Sequence, residues 1–322
     1  MRILLIASVY NGLCQHAHTE LEALGHDISI TLALNPDYIR KRVTFFQPNL
    51  IICPFLKEKI PEDVWGNHTC LIVHPGIVGD RGASSLDWAI MNGEQEWGVT
   101  VLQAAEEMDA GDIWATETFK MRQASKASIY RREVTKAAIK AILQAVGRFE
   151  SKTFTPEPLD YSKPDVRGEL RPQMKQQERK IDWLNDDVAT VIKKINAADS
   201  APGVLDVIDH QEYYLYGAHQ ESSITAWKCL FQGWQPGEII AKRHGAICRA
   251  AIDGAIWISH LKCKNSVKAP FYKHFMPYEK QFDFKLTATK VLGKVVDKIQ
   301  ESPIDPLFMG DELTFKEIWY EE

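Results

Sequence analysis

The sequence has little that would suggest a disulfide-bonded or metal-binding domain. Its six cysteines are scattered along 322 residues, and none forms a Cys-x-x-Cys pair. Such cysteines indicate reduced thiols, so we predict a cytoplasmic protein. The spacing Cys14-x-His16-x-His18 suggests metal ligands, but on a helix positions 14 and 18 share a face that excludes position 16. Helix packing is the better interpretation of these residues, and we predict no metal site.

The sequence also lacks an excess of positive charge and a long hydrophobic run. Its net charge is −5, which argues against a broad nucleic-acid-binding surface. No segment reaches the roughly 18 consecutive apolar residues that a membrane-spanning helix needs. The apolar start, Arg2–Ala7, predicts a buried strand rather than a signal peptide. Neither nucleic acid nor a membrane is therefore an expected partner.

Glycine is sparse where a nucleotide-binding enzyme would need it. The turn after the first predicted strand, Ser8–Gln15, contains only Gly12. A dinucleotide fingerprint needs several spaced glycines so that the backbone can approach a pyrophosphate. No Walker lysine motif occurs either, so the pattern argues against nicotinamide-dependent and P-loop enzymes.

Alternating strands and helices fill the first half of the chain. Apolar runs and helical periodicity predict strands at Arg2–Ala7, Asp27–Ala33, Asn49–Pro54, Cys70–Val73 and Ile113–Met121, with helices at Leu13–Leu24, Asn35–Phe46, Ile60–Trp65 and Lys126–Phe149. This alternation with short connections predicts an α/β fold with a doubly wound, mostly parallel sheet over residues 1–150. Ligands of such sheets bind beyond the carboxyl ends of the strands.

The second half has a different pattern. Proline, serine and charged residues predict an exposed linker over residues 151–185. A helix and short alternating strands then predict a small β-barrel-like domain over 186–290, with the turn Asp253-Gly254 as a hairpin signal. Residues 291–322 form a predicted tail with a strand-like stretch at Phe315–Tyr320.

His74 and Asp109 are the candidate catalytic residues. His74 ends an apolar strand and is followed at once by Pro75-Gly76, which predicts an imidazole at the rim of the sheet. Asp109 lies in a loop and can orient a histidine and favour its charged form. A buried core histidine and an ordinary turn aspartate remain the alternatives.

Five ordered motifs resemble the folate-dependent formyltransferases, which include the glycinamide ribonucleotide and methionyl-tRNA enzymes. They are His74-Pro75-Gly76, Arg81-Gly82, Trp88-Ala89-Ile90, Gly98-Val99-Thr100 and Asp109-x-Gly111-Asp112. Later motifs resemble the small, OB-type C-terminal domain of the methionyl-tRNA enzyme: Ile181-Asp182-Trp183, Pro202-Gly203 and Pro236–Ile240. The resemblance implies formyl transfer by His74 and Asp109 with 10-formyltetrahydrofolate as donor.

A narrower resemblance, to the HypX (HoxX) family of hydrogenase-maturation proteins, covers essentially the whole chain. It rests on the motif His-Pro-Gly-Ile-x-Gly-Asp-Arg-Gly, which begins at His74, and on the segments Pro158–Gly168 and Phe284–Leu286. It implies that coenzyme A accepts the formyl group through its thiol. It also implies a fragment whose missing second half, resembling the enoyl-CoA hydratases (crotonases), releases carbon monoxide for nickel–iron hydrogenase. Other hydrogenase-maturation proteins are expected partners.

One position departs from the general formyltransferase pattern. Those enzymes have an asparagine two residues before the histidine, and here that position is Ile72, which cannot donate a hydrogen bond to an oxyanion. Losing such a donor typically costs on the order of 10²–10³ in rate. A protonated His74 or a strongly nucleophilic thiol acceptor would compensate for the missing oxyanion donor. A tetrahydrofolate-binding module with little catalysis and an amine acceptor remain alternatives.

The resemblance also assigns candidate binding residues. Those for the folate are Cys53, Pro54, Phe55, Leu56, Gly76, Arg81, Gln103, Ala104, Ala105, Glu106, Met108 and Gly111. Those for coenzyme A are Tyr10, Asn11, Gly12, Gln15, Arg131 and Ser200. Plain core packing is the alternative for Phe55 and Leu56, a solvated helix face for Arg131, and support of the glycine-rich loop for Arg81.

Overall fold

A computed structural model describes residues 1–222, 233–243, 245–263 and 268–270 of the chain. The chain divides into two compact units. The first comprises Met1–Gln123 and Ile129–Gln173, and the second comprises Ala124–Ser128 and the described residues from Met174 onwards. The predicted tail, residues 291–322, and the motif Phe284–Leu286 lie outside the described residues.

The first unit contains a six-stranded sheet and the helices around it. Its strands are β1 (Arg2–Ala7), β2 (Asp27–Leu32), β3 (Leu50–Pro54), β4 (Cys70–His74), β5 (Glu96–Gln103) and β6 (Ile113–Lys120). Its helices are α1 (Gly12–Ala23), α2 (Pro36–Phe46), α3 (Glu62–Trp65) and α4 (Ser85–Asn92). A last helical run consists of α5 (Lys126–Ile129), whose residues up to Ser128 belong to the second unit, a π-helical turn (Tyr130–Val134) and α6 (Thr135–Ser151).

The strand order is β2-β1-β3-β4-β5-β6. The pairs from β2 to β4 are parallel, and β5 and β6 add two antiparallel pairs at one edge. The predicted class, a doubly wound and mostly parallel α/β sheet, is therefore confirmed. Since β1, β3 and β4 are parallel, their carboxyl ends meet at one edge of the sheet, where ligands of such folds bind.

Fully buried central strands and capped helices explain this arrangement. The side chains of Ile3–Ala7 and Leu50–Cys53 are almost completely buried, as strands covered by helices on both faces require. The side chain of Asn35 accepts a hydrogen bond from the Tyr38 backbone N–H at 2.8 Å and so caps α2. Such a cap stabilises a helix by about 1 kcal/mol.

The stretch predicted as a linker is divided between the units. Its residues up to Gln173 belong to the first unit, where Glu157 pairs with Ile113 and Leu170 pairs with Arg81. The backbone N–H of Gly168 donates to the Val78 carbonyl at 3.1 Å, so this segment covers the glycine-rich loop after β4. A composition rich in proline and charge predicts exposure but does not report these backbone pairings.

The second unit combines two helices with an antiparallel sheet. Its helices are α7 (Gln176–Arg179) and α8 (Val188–Ala198), and its strands are β7 (Val204–Ile208), β8 (Gln211–Gln220), β9 (Ile239–Arg243), β10 (Ala246–Ala250), β11 (Ala255–Cys263) and β12 (Ala269–Pro270). The sheet order is β7-β8-β11-β10-β9, and β12 pairs with β11. The predicted small β domain is thus confirmed as part of the fold class, while its predicted bounds, 186–290, stay a prediction.

An amphipathic helix closes the core of this unit. Val188, Val191, Ile195 and Ala198 of α8 are buried and join one apolar cluster with residues of β8 and β11. The carboxylate of Asp187 caps α8 by accepting a hydrogen bond from the Thr190 N–H at 2.7 Å. Among the described residues, no helix has the length and hydropathy needed to cross a membrane.

Candidate active site

His74 is the last residue of β4, and the turn that follows is fixed by three side chains. The hydroxyl of Ser85 and the indole N–H of Trp97 donate to the Pro75 carbonyl at 2.8 and 3.0 Å. The hydroxyl of Thr100 donates to the Gly76 carbonyl at 2.8 Å. These bonds hold the backbone on the carboxyl side of His74 and so fix the position of its side chain.

The imidazole of His74 lies between two carboxylates. Its Nε2 is 2.8 Å from Oδ2 of Asp80, and its Nδ1 is 3.4 Å from Oδ2 of Asp109. Both His74 and Asp80 are buried, with 4% and 1% of their surface exposed. The sequence predicts His74 and Asp109 as neighbours in the site but does not predict Asp80. The only sequence signal for Asp80 is the Gly-Asp-Arg-Gly motif of the loop after β4, in which this aspartate follows a glycine.

The two carboxylates favour the protonated form of His74. Burial alone lowers the pKa of a histidine, because it penalises the charged form. The hydrogen bond that the imidazole donates to Asp80 and the negative charges of Asp109 and Asp80 outweigh burial and raise the pKa of His74 above its usual value of 6.5. The site therefore holds an imidazolium over more of the neutral pH range than a free histidine would.

Asp109 has a left-handed backbone, with φ of 55°, which aspartate and asparagine tolerate better than most residues. Its Oδ2 accepts a hydrogen bond from the Gly82 N–H at 3.3 Å. Gly111 closes the same loop against β5, because a Cβ there would lie 1.9 Å from the Gln103 carbonyl oxygen. The loop thus carries Asp109 back to the end of β4, where His74 lies.

Arg81 ties the glycine-rich loop to the loop of Asp109. Its Nε donates to the Met108 carbonyl at 3.0 Å, and its Nη2 is 2.6 Å from Glu107. These contacts agree with the loop-supporting alternative for Arg81. Its role in holding a folate stays a prediction.

Several predicted folate residues form an apolar surface beside His74. Ile72 shares a sheet face with His74 because the two are separated by one residue in β4. The side chains of Ile72, Leu56 and Ala104 pack against one apolar cluster, which includes the buried Cys53. The side chain of Cys53 is part of the core, and burial raises the pKa of its thiol.

The other predicted folate residues lie at strand ends and in the loop that follows β5. Pro54 ends β3, and Phe55 follows with a left-handed φ of 54°. The Phe55 ring meets Tyr130 of the π-helical turn edge-on, with centroids 5.5 Å apart. Gln103 ends β5 and accepts a hydrogen bond from the Trp114 indole at 3.2 Å, while Ala105, Glu106 and Met108 continue into the loop of Asp109.

Tyr130 was not predicted from the sequence, because a π-helical turn leaves no periodic signal in a long helix. Burial, Asp87 and Asp80 together raise the pKa of its hydroxyl. Asp80 therefore acts electrostatically on both Tyr130 and His74.

The predicted coenzyme A residues occupy two different units. Tyr10, Gly12 and Gln15 are exposed, and the side chain of Asn11 caps α1 by accepting from the Cys14 N–H at 3.0 Å. Arg131 is exposed in the π-helical turn, and Ser200 is exposed in the second unit after α8. The part of the chain that the structure describes holds no group of three or more residues suited to a metal ion.

Replacing Asp109 with asparagine is expected to lower formyl transfer by on the order of 10²–10⁴-fold without unfolding the first unit. Asparagine keeps the left-handed backbone and removes the carboxylate that can exchange a proton. Steady-state kinetics and the thermal midpoint of unfolding measure the two effects. An Asp109→Asn variant with wild-type kcat would remove Asp109 from the catalytic assignment.

His74 is expected to make stability depend on pH. Since the pKa of His74 is raised in the folded state, its stabilising contribution is fully present below its unfolded pKa of about 6.5. The contribution is lost as the pH rises through the folded pKa. The difference in unfolding free energy between wild type and His74→Gln, measured by urea titration from pH 5.5 to 9, should therefore shrink with rising pH. A difference that grows with pH would contradict the raised pKa.

Both units match family models. The model described as formyl transferase matches residues 30–146, and the model described as formyl transferase, C-terminal domain, matches residues 173–274. The chain is 45% identical over 277 residues to hydrogenase maturation factor HoxX of Bradyrhizobium diazoefficiens, covering 85% of this chain and 47% of that protein. It is 22% identical over 251 residues to methionyl-tRNA formyltransferase of Bacillus licheniformis, covering 75% and 74%.

Solved structures of HypX and of a methionyl-tRNA formyltransferase are also similar to the chain. HypX from Aquifex aeolicus in complex with tetrahydrofolic acid superposes with a TM-score of 0.78 and 42% sequence identity, covering 85% of this chain and 47% of that chain. Methionyl-tRNA formyltransferase from Clostridium thermocellum shares the fold, with a TM-score of 0.56 and 17% identity over 69% of this chain and 95% of that one. The chain thus spans about half the length of the HoxX and HypX proteins it matches.

Proposed function

Because the chain belongs to the formyl transferase family, we propose that it transfers a formyl group from 10-formyltetrahydrofolate to the thiol of coenzyme A. The observation that carries the proposal is the imidazole of His74, held between Asp80 and Asp109 on the sheet face that also bears Ile72. This arrangement combines a cation, a carboxylate for proton transfer and an apolar surface in one place.

The donor is expected to lie on the apolar surface beside His74. Ile72, Leu56 and Ala104 present aliphatic groups there, which suit the flat pterin ring, while backbone groups of the loop from Ala104 to Gly111 can hydrogen-bond with its polar edge. The complex of the HypX relative with tetrahydrofolic acid supports this choice of donor.

The choice of acceptor follows from the presence of Ile72 where related enzymes have an asparagine side chain. Attack by an amine or by a thiol forms a tetrahedral intermediate whose oxyanion benefits from an amide donor, and Ile72 provides none, so the weaker nucleophile is the more affected. A thiol reacts through its thiolate, which is strongly nucleophilic and forms near pKa 8.5. A thiol acceptor therefore fits this site better than an amine.

The proposed step conserves atoms and charge. Asp109 takes the proton of the attacking thiol as the sulfur forms a bond to the formyl carbon. The Nδ1–H of the protonated His74 stabilises the negative charge on the formyl oxygen. The bond between that carbon and N10 then breaks, its electron pair goes to N10, and Asp109 returns the proton there. The products are formyl-coenzyme A and tetrahydrofolate.

We further propose that this transfer is the first half of carbon monoxide synthesis for nickel–iron hydrogenase assembly. The similarity to HoxX supports this context, and a crotonase-like second half, in cis with this chain, would act on the formyl thioester. We place the reaction in the cytoplasm, where thiols such as the free Cys14 and Cys70 stay reduced.

A tetrahydrofolate-binding module with little catalysis is the second candidate, and Ile72 is the observation that favours it. The two functions differ in turnover but not in binding of the donor. An assay should mix the protein with 10-formyltetrahydrofolate and with coenzyme A, an amino-sugar nucleotide, or no acceptor, and follow tetrahydrofolate release. The proposal predicts that tetrahydrofolate is released when coenzyme A is the acceptor, and not with the amino-sugar nucleotide or without an acceptor. Donor binding without release favours the module, and release with the amine favours an amine acceptor.

A further inference from the structure

Asp80 contacts the candidate catalytic histidine from the protein interior. It lies in the turn after β4, where its backbone N–H donates to the Ile77 carbonyl at 3.0 Å. Its side chain is completely buried, and its Oδ2 lies 2.8 Å from Nε2 of His74. Its Oδ1 is buried and has no hydrogen-bond partner among the residues that the structure describes. A carboxylate in this condition is costly unless a cation compensates its charge.

The surrounding chain is built closely around this carboxylate. A Cβ on Gly168 would lie 1.9 Å from the Asp80 backbone nitrogen, and a Cβ on Gly76 would lie 2.4 Å from Asp80 Oδ2. The hydroxyl of Tyr161 donates to the Gly79 carbonyl at 3.0 Å. The segment that carries Tyr161 and Gly168 thus closes over the glycine-rich turn and excludes water from Asp80.

Among the described residues, His74 is the cation that pairs with Asp80. The neighbouring Arg81 directs its guanidinium to the Met108 carbonyl and to Glu107 instead. Asp80 and Asp109 are the charges that act on His74. The distance from Nε2 to Asp80 Oδ2 is short, at 2.8 Å. The distance from Nδ1 to Asp109 Oδ2 is 3.4 Å, so Nδ1–H can still donate a hydrogen bond to another acceptor.

We propose that Asp80 is a positioning residue that anchors Nε2 of His74 and keeps the ring protonated, so that Nδ1–H replaces the amide donor absent at Ile72. This inference rests on the proposed function, because it assigns Nδ1–H to the formyl oxyanion. Asp80 itself does not touch the substrates. It acts through His74, as a buried carboxylate orients and charges an imidazole in other catalytic groups.

Titration of His74 by ¹⁵N NMR in the whole chain tests the anchor independently of turnover. In the wild type at pH 7.5 both ring nitrogens should carry protons, and a neutral imidazole would overturn the proposal. In Asp80→Asn the pKa of His74 should fall by about 1–3 units, the shift that a nearby opposite charge produces. Asp112→Asn removes an exposed charge that does not act on His74 and should leave its pKa unchanged.

Kinetics separate positioning from a merely structural role. If transfer uses the imidazolium, the alkaline limb of the kcat–pH profile should move to lower pH in Asp80→Asn by the same shift as the pKa, and Asp80→Glu should restore part of it. A profile that does not move, or a His74 pKa equal to that of the wild type, would contradict the proposal. If the wild type transfers no formyl group, the proposed function fails, while the NMR titration still decides the anchor.

Discussion

Replacing His74 with glutamine lowers formyl transfer by on the order of 10²–10⁴-fold, the usual contribution of a positioned acid–base group. The amide nitrogen of glutamine can still donate a hydrogen bond to the buried Asp80, so the first unit should remain folded. Glutamine cannot become a cation, and the charge that stabilises the oxyanion is lost. The loss should appear in kcat, with tetrahydrofolate binding retained.

A His74→Ala variant behaves differently and provides a control. Alanine leaves the buried carboxylate of Asp80 without its partner at 2.8 Å. Removing one member of a buried ion pair costs about 3–5 kcal/mol of unfolding free energy. His74→Ala should therefore unfold earlier than His74→Gln, and His68→Gln, on the loop after α3, should match the wild type in both measurements. Full transfer by His74→Gln would remove His74 from the mechanism.

Replacing Gly76 with alanine should lower transfer by about 10²-fold or more. A Cβ at position 76 would lie 2.4 Å from both Nε2 of His74 and Oδ2 of Asp80, so the pair must separate. A misplacement of about 1 Å can cost 10²-fold in rate. Forcing atoms into this buried turn should also cost about 1–3 kcal/mol of unfolding free energy. Kinetics and urea denaturation measure the two losses.

Gly147→Ala is the matched control for this substitution. Gly147 lies inside α6, where an added Cβ meets no atom of the described residues within 4 Å. Alanine in an exposed helix interior stabilises by up to about 1 kcal/mol relative to glycine. This variant should keep wild-type transfer and gain stability. Equal behaviour of the Gly76 and Gly147 variants would contradict the tight packing inferred around His74.

The sequence was sufficient to predict the parallel part of the sheet in the first unit and the position of His74 at its ligand-binding edge, and the family motifs pointed to Asp109 as its neighbour. Buried strands such as Ile3–Ala7 and capped helices produce strong periodic signals, and the parallel order of β1, β3 and β4 follows from their alternation with helices. A histidine that ends such a strand must lie at the ligand-binding edge. These features depend on local pattern, and local pattern is visible in one sequence.

Asp80 and the segment that covers it could not be predicted in this way. Asp80 lies in a turn, where aspartate is common for reasons unrelated to catalysis. The covering segment is joined to that turn by backbone pairs such as Gly168 with Val78 and Leu170 with Arg81, which connect residues about 90 positions apart. Its composition indicates only exposure. Long-range backbone pairing leaves no periodic signal in the sequence.

The fate of a labelled formyl group tests the central claim most directly. Wild-type protein and His74→Gln should each be incubated with coenzyme A and 10-formyltetrahydrofolate carrying ¹³C in the formyl group, and the products resolved by mass spectrometry. With the wild type we expect ¹³C-formyl-coenzyme A in equal amount to the tetrahydrofolate released, and with His74→Gln almost none. Label that stays on the bound folate, or that appears only as formate, would contradict formyl transfer to a thiol.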